Sequence, residues 1–98
     1  MKALDQPDAT GRLQRAMAAF RRAQVNSRTA RRGLKDLPPN KVGRFWATEG
    51  NRTERRLHEA AIEAIAAFNV FSAAGLVPEP SNCDLINEAR RIVAEGEL

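Results

Sequence analysis

The stretch from Asn51 to Leu76 constrains the fold more than any other part of the chain. Apolar residues recur at Leu57, Ala61, Ala64, Ile65, Phe68, Phe71 and Ala74, the spacing that lines one face of an α-helix. Asn51 followed three residues later by Glu54 fits a helix start in which each side chain reaches the other's backbone amide. Up to Glu63 the opposite face is charged, with Arg55, Arg56, Glu59 and Glu63. Beyond Glu63 no charge occurs until Glu79, and Val70 takes the side that should meet water. A helix that turns apolar all round is covered there, by its own domain or by a second copy. Phe68, Val70 and Phe71 are the candidates for that core or dimer surface. The run is broken by Asn69, Ser72 and Gly75 and is too short to span a bilayer.

Two further helices are expected around this one. Leu13, Ala16, Met17, Phe20 and Ala23 share a face, with Asp8 or Thr10 as the cap. Carrying that helix past Val25 brings Arg28 and Arg31 onto the apolar stripe, so a break is expected near Asn26-Ser27, residues that favour caps and turns. Ser27 then caps a short Arg-rich helix near 28–33, with Gly33 as its stop. Pro38-Pro39 ends any helix there, and residues 34–50 read as a loop or short helical turn carrying Val42, Phe45 and Trp46. After Gly75, Pro78 and Pro80, a last helix starts at Ser81 and places Leu85, Ile86, Ala89, Ile92 and Val93 on one face. The expectation is an all-α fold over 1–98: a small bundle of three main helices (9–26, 51–75 and 82–95) plus the Arg-rich helix, with 1–8 as a flexible start.

A chain of 98 residues with four Phe, one Trp and no Tyr must build its core mainly from small aliphatic side chains. Such a lean core favours a homodimer, since association buries what a monomer leaves open. The single Cys83 excludes an internal disulfide framework, and no secretory signal or transmembrane run is visible, so a bacterial or phage protein of the cytoplasm, without a membrane partner, is expected.

Charge is distributed unevenly. Residues 1–56 hold fourteen basic and five acidic side chains, and residues 57–98 hold two and seven. Arg21, Arg22, Arg28, Arg31 and Arg32 fall within twelve residues that contain no acid. Like charges at that density repel unless something neutralises them. Phosphate does so well, and its contacts with Arg give salt-sensitive binding. The competing reading pairs these arginines with the acidic carboxyl-terminal half of this chain or of a dimer mate. Lys41, Arg44 and Trp46 extend the basic set, with Trp46 able either to stack an unpaired base or to plug the core. The same region can be laid out as a degenerate helix-turn-helix, Arg28–Arg32 followed by Pro39–Thr48, presenting Asn40, Lys41 and Arg44 to a major groove.

Catalytic chemistry is poorly represented. Arg52 and His58 have a spacing similar to the arginine–histidine pattern of helical ribonucleases of the HEPN type, but the pattern is short and those domains are usually longer. Cys83 in a first helical turn has no base nearby in sequence, and one His with one Cys cannot make a zinc site. No enzyme, metal or cofactor is expected. The sequence favours a small nucleic-acid-binding or regulatory protein using Arg21, Arg22, Arg28, Arg31, Arg32, Lys41 and Arg44 on DNA or RNA. The alternative is an adaptor or inhibitor of the phage or plasmid type, setting the same residues against an acidic protein surface.

Overall fold

A computed structural model describes residues 5–96 and is all-α. Its elements are α1 (Asp5–Leu34), α2 (Pro39–Phe45), a π-helical turn (Trp46–Gly50), α3 (Asn51–Ala73) and α4 (Pro80–Gly96). The long helix read from the 51–76 periodicity is the middle of the structure: α1 packs along one side of α3, and α4 packs along another. The described chain measures 57 × 22 × 20 Å, longer than the roughly 45 Å that the 30 residues of α1 span at a rise of about 1.5 Å each.

Eleven buried residues from three helices form the core. Leu13, Ala16, Met17 and Phe20 come from α1, Leu57, Ala61, Ala64, Ala67 and Phe71 from α3, and Ile86 and Ala89 from α4. The alanines explain the close approach of the helices, because no side chain beyond Cβ separates the backbones. Phe71 is therefore core, and Phe68 packs against the core with the Arg90 guanidinium 5.7 Å from its ring centre. Of the three residues expected at a core or dimer surface, only Val70 faces outward.

The expected break at Asn26-Ser27 does not occur. Helix α1 runs through to Leu34, so the Arg-rich segment 28–33 is its last turns and not a separate helix. Sequence patterning failed here because the apolar stripe is continued by a polar seam. Ser27 is only 5% exposed, and its Oγ donates to Glu54 Oε1 at 3.2 Å. Arg31 Nε and Nη2 donate to the same oxygen at 3.0 and 2.6 Å. Glu54 was expected to close a capping box with Asn51; instead it holds the far end of α1. Glu54→Gln keeps one acceptor oxygen but removes the charge that assists these bonds, so a loss of about 1 kcal/mol of unfolding free energy is expected. Urea titration followed by circular dichroism checks it, and an unchanged midpoint would remove the seam from the account of α1.

The other boundary corrections have local causes. Residues 1–4 lie outside the described residues, but Asp5–Asp8, placed in the loose start, are helical, so neither Asp8 nor Thr10 is a cap. Helix α1 ends in tight turns, with Lys35 N donating to Arg32 O and Leu37 N to Leu34 O, both at 3.2 Å. Pro38 is extended (φ −61°, ψ 147°) and Pro39 opens α2, as expected of a residue before proline and of proline in a first helical turn. From Phe45 through Asn51 the backbone then stays right-handed helical, so α2, the π turn and α3 form one rod in which Asn51 is interior. Of the segment read as a loop or short helical turn, residues 35–38 are turn and extended chain while 39–50 are helical, and the helix-turn-helix layout has no second independent helix. Rod and α3 end together at Gly75 (φ 81°), where Leu76 N reaches back to Phe71 O, a glycine-dependent C-terminal closure.

Candidate polyanion-binding surface

Helical geometry sorts the five clustered arginines before any contact is considered. With about 3.6 residues per turn, Arg21, Arg28 and Arg32 share one flank of α1, Arg22 sits on the other, and Arg31 points toward α3. Arg31 is accordingly engaged by Glu54. Arg21, Arg22, Arg28 and Arg32 are exposed, and none makes an ion pair among the described residues. Lys41 and Arg44 are exposed on α2, a short helix that carries no buried residue. The sequence cluster thus becomes a strip of three, with one outlier and one structural member.

Four of the described glutamates, Glu54, Glu63, Glu88 and Glu95, are committed elsewhere. Glu63 receives Arg12 in two bonds, Nε at 2.8 Å and Nη2 at 2.9 Å, and this hydrogen-bonded pairing lowers the Glu63 pKa and raises that of Arg12. Glu88 and Glu95 both accept from Arg91 within α4. Glu88 is held below the usual carboxylate range chiefly by Arg91, with a smaller long-range contribution from Arg28. The acidic last helix mostly neutralises itself; toward the Arg strip it extends a field but no bond.

Two grooves flank the α1–α3 pair. One, of about 760 Å³, lies between α1, α3 and α4 and is lined by Arg28, Arg31, Glu54, His58, Glu88 and Arg91 among others. Its charges are mixed and mostly paired. His58 sits under the end of α4, so close that a Cβ on Gly96 would fall 2.7 Å from its Cδ2. Its Nε2 is buried without a hydrogen-bond partner among the described residues.

The other groove, of about 460 Å³, has a floor of Ala19, Ala23, Ala30 and Ala60 and carries Arg22, Arg52 and Arg56 against the single acid Glu49. Arg52 and Arg56 were not among the candidate site residues. Their signal was legible as two like charges four apart on the edge of an apolar stripe. Arg52 and His58 line opposite grooves, so the structure does not bring together the pair that was weighed as a ribonuclease pattern.

Trp46 belongs neither to the core nor to an open platform. It meets Phe45 edge to face, with centroids 5.5 Å apart at 80°, lies over Gly50, and remains 37% exposed. Cys83 is a half-buried free thiol. No helix among the described residues is long and apolar enough to cross a membrane.

No protein-family model matches the chain, and neither a curated protein nor a solved structure matches it.

Proposed function

We propose that this is a non-enzymatic nucleic-acid-binding protein of regulatory type that holds a phosphate backbone on the Arg21–Arg28–Arg32 flank of α1, with Lys41 and Arg44 extending the contact. The supporting observation is a mismatch of partners. Three exposed guanidinium groups occupy about 16 Å of one helix flank and make no ion pair, while Glu54, Glu63, Glu88 and Glu95 are bonded to other arginines. Arg28 and Arg32, four apart, repel each other on the free helix. A polyanion reverses that cost and gains the release of its condensed counterions.

The test is a mobility shift with duplex DNA, single-stranded DNA and RNA over a range of salt. Affinity is expected to fall steeply with salt, and replacing Arg21, Arg28 and Arg32 together by Ala should reduce the log–log salt slope by about 3. Retention by all three probes of the wild-type slope in the triple variant would overturn the assignment of this flank. Failure of every probe to shift at low salt, together with stoichiometric capture of one acidic protein, would replace this reading with the adaptor.

A further inference from the structure

The alanine-floored groove bears a charge pattern that its own chain leaves unanswered. Arg52, Arg56, Glu59 and Glu63 follow one another along α3 and, at about 100° per residue, fall within an arc of about 60°. Arg52 and Arg56 line the groove, and Glu63 meets α1's Arg12 on this same flank. Along a single helix the order is unfavourable, because each neighbouring pair at four residues has like charge. Arg56 and Glu59 are three apart, yet they do not pair, and neither Arg52, Arg56 nor Glu59 has an ion-pair partner among the described residues.

The order has a second property. Arg52 and Glu63 are equally far from the midpoint between Leu57 and His58, and so are Arg56 and Glu59. A copy of α3 laid antiparallel across a two-fold axis at that midpoint sets every Arg opposite a Glu. This is the self-complementarity that an isologous interface requires.

We infer that this flank of α3 is the interface with a second copy of the chain, paired antiparallel through Arg52–Glu63 and Arg56–Glu59 contacts in both directions. The floor suits it: Ala19, Ala23 and Ala60 let a second helix approach without displacing side chains. Glu63, half exposed while it holds Arg12, has acceptor capacity left for a second guanidinium. The apolar end suits it as well. Val70 lies on this flank, 45% exposed, and is as far from the midpoint as Phe45, so it reaches the level of the partner's Phe45–Trp46 end. The dimer expected from the sequence is thereby moved off Phe68 and Phe71, which the core and α4 occupy. The Arg21–Arg28–Arg32 strip is on the other flank of α1 and stays open, so this inference stands or falls apart from nucleic-acid binding.

Analytical ultracentrifugation of the full chain over about a hundredfold range of concentration tests it. The wild type is expected to dimerise, less tightly at high salt. Arg56→Glu alone and Glu59→Arg alone should each weaken association about tenfold or more. The double variant, which restores opposite charges across the two-fold, should return to within about threefold of the wild type. Circular dichroism confirms that each variant is folded, and Arg56→Gln and Glu59→Gln serve where a reversal is not. A wild type that stays monomeric, or a dimer indifferent to both single reversals, would overturn the inference.

Discussion

Phe20→Ala is expected to lower the free energy of unfolding by about 3–5 kcal/mol, the cost of a large cavity in a core that cannot refill it. Phe20 is fully buried, with no exposed surface, and is the largest side chain that α1 sets against α3. Five of the eleven core residues are alanines: Ala16, Ala61, Ala64, Ala67 and Ala89. An alanine has no rotamer with which to move into a void, so relaxation falls to Met17, whose flexible thioether is the one adaptable neighbour in its turn. A domain of this size holds only about 5–15 kcal/mol in all, so the variant should sit near the edge of folding at room temperature. Urea denaturation of the wild type and of Phe20→Leu and Phe20→Ala variants gives the measurement, with Leu expected in between. A loss below about 1 kcal/mol for Ala would mean that the helices close over the gap, and the α1–α3 contact would then be looser than the burial of Phe20 implies.

How far the sequence disclosed this arrangement depends on which physical signal each segment carried. Periodic apolar residues placed α3 and α4 and identified Leu13, Ala16, Met17 and Phe20, because a stripe at helical spacing has one economical packing. The same logic misplaced the end of α1. Ser27 and Arg31 stand where the stripe should continue, and nothing local says that Glu54, at a separation of 23 residues from Arg31, will meet them. A tertiary hydrogen bond supplied what patterning lacked. Asn51-Glu54 failed as a cap for the complementary reason: a capping sequence is a local offer, and here the chain enters α3 already helical. The binding surface was legible in composition but not in layout. Five arginines close in sequence resolve into two flanks and an inward position once the helix is unbroken, while Arg52 and Arg56, distant in sequence, join Arg22 across a groove.

Gly50→Val is expected to cost about 1–3 kcal/mol and to shift the emission of the chain's one tryptophan toward that of a solvated indole. Gly50 is buried in the π turn, where the chain carries its two adjacent aromatics over the backbone. A Cβ there would lie 2.5 Å from Trp46 Cε3 and 2.9 Å from Phe45 Cε1, both inside the closest approach that carbon atoms tolerate. Retreat of either ring breaks their edge-to-face contact, worth about 0.5–1.5 kcal/mol. Trp46 is the one already part-exposed, so it should be the one to leave. Replacing a helical glycine by valine also recovers only about a few tenths of a kcal/mol of helix propensity, a small offset to the clash. Gly43 isolates that term. It lies in α2 with nothing within 4 Å of its would-be Cβ, so Gly43→Ala should be neutral or stabilising by up to about 1 kcal/mol with tryptophan emission unchanged. If Gly50→Val leaves the emission untouched while Gly43→Ala alters it, the rings do not close over Gly50, and the π turn owes its geometry to something other than that missing side chain.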